Sequence, residues 1–194
     1  ARVKNKLQIQ NPKCVAFDIL FGCPGWIEGM LQAYALLKSG MANKCLVIGA
    51  EALSRVVDPH DRDSMIYADG AGATVIEASE EEGGIIAHES ASYTHDEVYH
   101  LFFGNSNDKS RDEDVRYIKM YGRKIYEFAL NNVPTALKNC LDKSGFSINE
   151  VTTFSSFDFR IPNSGASLSP TGIVAIDNAA PLFLCASIIL LKSI

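Results

Sequence analysis

Apolar residues recur along this chain in two rhythms, and the switches between them predict its elements. Residues 15–19 form a short apolar run, expected to be a buried strand and broken by the Gly-containing stretch 22–25. Trp26, Ile27, Met30, Leu31, Tyr34 and Leu37 then fall at helical spacing, and Gly40 stands where a C-cap belongs. Pro24 suits a first helical turn, where its missing N–H has no intrahelical acceptor in any case. Residues 45–50, 73–77 and 85–88 read as further strands, the last two separated by an acidic turn at 80–84. Strand–helix–strand order with strands apolar throughout predicts an α/β fold whose sheet is covered on both faces.

Residues 95–116 are polar and charged, which predicts a surface excursion. A second helix is expected over 122–144, with Ile125, Phe128, Ala129, Val133, Leu137, Cys140 and Leu141 on one side and Gly145 ending it. Pro134 is expected to split or kink it, because proline lacks the N–H that the ladder needs. Near Thr152 the character changes. Of 18 Lys/Arg and 23 Asp/Glu, only Asp158, Arg160, Asp177 and Lys192 lie beyond residue 151. The uncharged stretch 178–191 is shorter than the roughly 20 residues a spanning helix needs, and Pro181 interrupts it. A buried strand or helix is expected there, not a membrane span.

The chain has 194 residues, 47% hydrophobic and 21% charged, as in ordinary globular domains. A net charge of −5 argues against a nucleic-acid partner, which calls for a basic face. Cys14, Cys23, Cys45, Cys140 and Cys185 form no CxxC pair, and their odd number does not suggest a disulfide framework. The first residues lack the apolar run of a signal peptide. These features lead to the expectation of a reducing cytoplasm.

One cysteine stands apart. In the run 17–26, Cys23 is placed at an expected strand-to-helix turn. The positive end of a helix and nearby backbone N–H groups favour a thiolate there. The same turn can offer an N–H to a developing oxyanion, so the position suits nucleophilic catalysis. Spacing alone leaves open the blander reading of a buried, inert cysteine. Asp69-Gly70-Ala71-Gly72-Ala73 lacks the third glycine of a dinucleotide fingerprint and reads as a structural turn with close backbone packing. His88, His95 and His100 have no companion ligand pattern, and no metal is expected.

Ala16-Phe17-Asp18 through Cys23-Pro24-Gly25-Trp26 resembles the nucleophile segment of the 3-oxoacyl-acyl-carrier-protein synthase III family. The resemblance continues in Leu46-Val47-Ile48-Gly49-Ala50-Glu51, Leu53-Ser54-Arg55, Asp58, Asp61-Arg62 and Asp69-Gly70-Ala71-Gly72-Ala73. Tyr117-Ile118-Lys119-Met120 with Gly122-Arg123 and Phe128-Ala129 looks like the opening of that family's second half. The order and spacing of these motifs carry the likeness, from about residue 1 to 151. It implies a thiolase-like layered α/β fold, here incomplete: the end of the first half over 1–91, a surface connection over 92–116, the start of the second half over 117–151 and a divergent tail over 152–194. It further implies that Cys23 accepts an acyl group from acyl-CoA and that malonyl-acyl carrier protein then condenses with it. Arg62 stands where the family contacts the adenine end of coenzyme A; without the resemblance it reads as a loop ion bridged to Asp58 or Asp61. No permanently bound cofactor is implied, and a homodimer is.

The chain departs from the family where a His in an HQAN-like run and an Asn in a GN-[ST]-S setting belong. Residues 154–160 take the place of the former, no His follows His100, and neither Asn163 nor Asn178 has the latter's neighbours. A frameshifted reading frame from about residue 152 accounts for this in one step, and little or no condensation by this chain alone is then expected. A related starter-unit or secondary-metabolite condensing enzyme, or a non-catalytic product, are the alternatives. Arg111, Arg116, Lys119, Arg123 and Lys124 read as a solvated basic stretch, or as a surface for an acidic carrier protein.

Overall fold

The computed structural model describes residues 1–80, 83–112, 114–156, 172–176 and 185–192, with side chains as far as Val151. A short helix, α1 (Arg2–Lys6), precedes an irregular segment. Residues 15–19, expected to be a buried strand, pair with no strand among the described residues. Val15 is 78% exposed and Phe17 63%. An apolar run becomes a strand only where a sheet edge receives its backbone, and among the described residues none pairs with this one.

Helix α2 (Gly25–Lys38) buries Ile27, Met30 and Ala33, the spacing that sequence periodicity predicts. It ends through Gly40, whose φ of 72° is the left-handed turn that glycine adopts at least cost. Pro24 sits one place earlier than expected, as the N-cap. Strands β1 (Lys44–Ala52) and β2 (Asp69–Glu77) form an antiparallel pair running from Lys44 opposite Glu77 to Ala52 opposite Asp69. The stretch 69–73 is therefore strand, not the expected turn. Val47 packs on α2, whereas Leu46, Ile48 and Val75 stay exposed. The expectation of two covered faces fails here, because among the described residues only α2 lies against this pair.

Strand β3 (Gly84–Ser92) runs through the expected stretch 85–88 and beyond it. Its Ile85 joins the α2 cluster, while Ile86 and Ala87 join the next helix's cluster. The register slips between Ile85 and Ala87, and a bulge of this kind lets neighbouring residues share one face. Strands β4 (Leu101–Gly104) and β5 (Tyr117–Met120) pair antiparallel; β4 lies inside the expected surface excursion and β5 directly follows it. Leu101 and Ile118 are the buried apolar residues of the pair.

Helix α3 (Gly122–Ser144) is continuous through Pro134, so the expected split does not occur. The apolar face on either side, with Ala136 and Cys140 buried against Ala87, holds the turn in place. Gly145 closes it at φ 76°. In the tail, β6 (Val151–Ser156), β7 (Gly172–Ile176) and β8 (Cys185–Lys192) complete a four-stranded sheet in the order β3-β8-β7-β6. Only β6 and β7 are parallel. Residues 157–160, Asn163 and Asn178 lie outside the described residues, as does the burial of the whole tail. No described helix is long and apolar enough to cross a membrane.

Candidate active site

Cys23 lies in the turn that feeds α2. Gly25 N–H donates to the Gly22 carbonyl at 2.8 Å, and Glu28 N–H donates to the Pro24 carbonyl at 3.1 Å as the helix begins. Pro24 is buried and Cys23 half-buried, so the thiol sits at the mouth of the helix and not in the core. The approach to it differs from expectation, being exposed irregular chain and not a strand.

The start of α2 is fixed by a close approach to β1. A Cβ placed on Gly49 would lie 3.2 Å from the Trp26 Cβ. Gly49 is paired with Gly72 across the ladder. Farther along, a Cβ on Gly29 would meet Val47 at 3.0 Å. The close backbone packing that the Gly-rich motif suggested therefore resides at Gly49 and Gly29. Gly70 has open space around it.

Tyr67 was missed by sequence reasoning. Its hydroxyl is buried and meets no hydrogen-bond partner among the described residues. Burial pushes this phenol up to about 12, with further contributions from the negative charges of Asp63, Cys23 and Asp61. Its one sequence signal is position: it directly precedes Ala68-Asp69-Gly70 at the entrance of β2. Asp69 itself accepts from the Ser54 hydroxyl at 2.6 Å and the Ser54 N–H at 2.8 Å, tying the exit of β1 to the entrance of β2.

Arg62 opens the 3₁₀ helix Arg62–Ile66 and is exposed. Asp61 caps this helix by accepting from the Asp63 N–H at 3.0 Å. Neither Asp58 nor Asp61 bridges to Arg62. Both instead hold Lys119, whose Nζ lies 2.6 Å from Asp58 Oδ2, 2.9 Å from Asp61 Oδ2 and 3.0 Å from Asn107 Oδ1. Asp58 is only 1% exposed and Lys119 8%. Asp58 also accepts from the Ser106 hydroxyl and from the backbone N–H of Asn107 and His60. Burial alone would push the Asp58 carboxyl up. The Lys119 ammonium and these donors outweigh it and hold the group well below the usual carboxylate range. At Asp61 the Lys119 hydrogen bond likewise lowers the carboxyl. Burial pulls the Lys119 amine down, and its two carboxylates more than restore it.

Lys119 is thus no part of a solvated basic stretch. Arg111 approaches Asp108 and His60, and Arg123 pairs with Glu127 one turn along α3. His88 and His95 are exposed and His100 half-buried. Among the described residues no three His, Cys, Asp or Glu side chains gather as a metal would require.

Residues 17–94 match the family model of 3-oxoacyl-[acyl-carrier-protein (ACP)] synthase III, a span that contains Cys23, Arg62 and Tyr67. Over this stretch the chain is similar to that family. The beta-ketoacyl-[acyl-carrier-protein] synthase III of Erythrobacter litoralis is 37% identical over 142 residues, covering 71% of this chain and 43% of its own. That of Clostridium botulinum strain Loch Maree is 35% identical over 156 residues, covering 77% of this chain and 47% of its own. The chain spans just under half the length of these synthase III relatives. The crystal structure of 3-oxoacyl-[acyl-carrier-protein] synthase III from Aquifex aeolicus VF5 superposes with a TM-score of 0.77 at 23% identity, covering 99% of this chain and 71% of that one. The fold is accordingly the layered, thiolase-like α/β arrangement that synthase III structures share, represented here in part.

Proposed function

We propose that this chain carries the acyl-accepting half-site of a condensing acyltransferase that initiates fatty-acid synthesis. In this reading the Cys23 thiolate attacks the carbonyl of an acyl-CoA, the C–S bond to coenzyme A breaks, and acyl-Cys23 remains. Malonyl-acyl carrier protein then loses carbon dioxide, and its carbanion displaces the cysteine sulfur. The observation that supports this most is the placement of Cys23: half-buried, in the turn entering α2, and inside the family-matched stretch.

Arg62 is proposed to contact the nucleotide end of coenzyme A. Its exposure leaves the guanidinium open to a base and phosphates, for which a planar fork is well suited. A cytoplasmic homodimer is the assembly this reading implies. Condensation needs donors that stabilise charge on the malonyl thioester, and this sequence has no His beyond His100 to supply the family's imidazole. Acyl transfer without efficient condensation is therefore the expected behaviour of the isolated chain.

Intact mass after incubation with acetyl-CoA tests the first step. A single acetyl adduct is expected, mapped to Cys23 by peptide analysis and absent in Cys23→Ala. Iodoacetamide should also label Cys23 ahead of the other four cysteines. Equal labelling of all five, or no adduct from a panel of acyl-CoAs on folded protein, overturns the proposal.

A further inference from the structure

The buried ion cluster around Lys119 joins two parts of the chain far apart in sequence. On one side is the segment from Val56 to Asp61; on the other are β5 and the loop carrying Ser106 and Asn107. The contact is continuous. Ile118 N–H donates to the Val56 carbonyl at 2.8 Å, and Val57 bridges to Ile118 as a parallel partner. One residue later Lys119 reaches Asp58 and Asp61. The Asn107 amide also donates to the His60 carbonyl at 3.2 Å, closing the other flank.

Asp61 has two tasks at once. One oxygen, Oδ1, accepts from the Asp63 N–H and starts the 3₁₀ helix. The other, Oδ2, accepts from Lys119. Any rotation of this carboxylate that loses the lysine also disturbs the cap. Arg62 is the next residue along, the first of that helix, so the direction in which its backbone launches the guanidinium is set by this carboxylate.

We propose that Lys119 is a positioning residue for Arg62: it holds Asp61, and through Asp61 the 3₁₀ helix Arg62–Ile66, so that an exposed arginine meets a nucleotide from a fixed base. The proposal rests on the reading of Arg62 as a coenzyme A contact. A long exposed side chain gains binding free energy only if its backbone anchor does not have to be ordered on binding. The buried ammonium supplies that order from the second half of the fold, where no coenzyme A contact is assigned.

The test is a double-mutant cycle on coenzyme A affinity with the full chain, measured by calorimetry with acetyl-CoA on Cys23→Ala to prevent turnover. Lys119→Met should weaken binding on the order of tenfold, and Arg62→Ala similarly. The two together should cost little more than either, as expected for residues acting through one network. Because Lys119→Met strips the buried carboxylates of their cation, Asp61→Asn serves as a second variant. It keeps an N-cap residue and a folded chain but removes one charged partner. It should show a smaller loss that also vanishes in the Arg62→Ala background. Lys119→Arg should recover part of the affinity.

Hydrogen exchange on the same proteins should show loss of protection in Asp61→Asn confined to residues 57–67 and 105–108. Full additivity of the Lys119 and Arg62 effects overturns the proposal, as does unchanged affinity in both Lys119→Met and Asp61→Asn. If Cys23→Ala binds no acetyl-CoA, the functional reading fails. Localised exchange would then show the clamp standing without it, and uniform or absent change would remove the clamp as well.

Discussion

Lys119 Nζ and Asp58 Oδ2 lie 2.6 Å apart across 61 residues of sequence, and solvent reaches almost none of either side chain. Taking two such charges out of water costs several kcal/mol per ion unless further hydrogen bonds repay it. Here they do, since the carboxylate also accepts from Ser106, Asn107 and His60, and the ammonium also donates to Asp61 and Asn107. Removing one member leaves the others charged and buried, at about 3–5 kcal/mol.

The cluster fixes the pH dependence of stability. Asp58 and Asp61 have carboxyls lowered by folding, so their contribution is fully present above the unfolded value near pH 4 and is lost as pH falls through the lowered folded values. Lys119 is raised by folding. Its contribution is complete below the unfolded value of about 10.4 and is lost as pH rises through the folded one. Urea midpoints should therefore fall more steeply below about pH 4 in wild type than in Lys119→Met, whose folded carboxylates lack the cation. Parallel acid limbs in the two proteins would show that the pair is not what lowers these carboxyls.

Gly49→Ala should cost about 1–3 kcal/mol, the usual penalty of overpacking. The added Cβ would sit 3.2 Å from the Trp26 Cβ and 3.4 Å from its Cδ1, atoms anchored at the first turn of α2. Relief requires α2 to move away from β1 at the end nearest Cys23. Denaturant midpoint and the iodoacetamide rate at Cys23 should both change. Gly70→Ala, which adds a Cβ to open space, is the control and should alter neither.

Pro134→Ala should stabilise the chain by roughly 2–3 kcal/mol. Proline in a helix interior lacks one ladder N–H and crowds the carbonyl four residues back. Pro134 is exposed and lies inside the continuous α3, so the exchange removes no core contact. Thermal denaturation measures it. A loss of stability would mean that the ring is needed for the helix to bend around its sheet.

How far sequence reveals this molecule depends on the range of the force involved. Helix α2 and the end of α3 at Gly145 were legible because side-chain periodicity and a left-handed glycine act within a few residues. The buried strand expected at 15–19 was not, because a strand exists only through a partner elsewhere in the chain. The same holds for Leu46 and Ile48, whose apolar character says nothing about whether a second layer covers them. Of the proposed site, Cys23 and Arg62 stand in short motifs that resemble a family's and so can be picked out in sequence. The Lys119 cluster and the Tyr67 hydroxyl are not, since contacts across 58 or 61 residues leave no local pattern. A basic run in sequence reads as solvated until the fold turns one of its members inward.

Tyr67 gives the last prediction. A buried hydroxyl with no partner carries a desolvation cost of about 1–3 kcal/mol, and phenylalanine has the same shape without it. Tyr67→Phe should therefore leave the fold intact and raise stability by about 1 kcal/mol in urea unfolding. A destabilised Tyr67→Phe would show that the hydroxyl already has a partner within the fold.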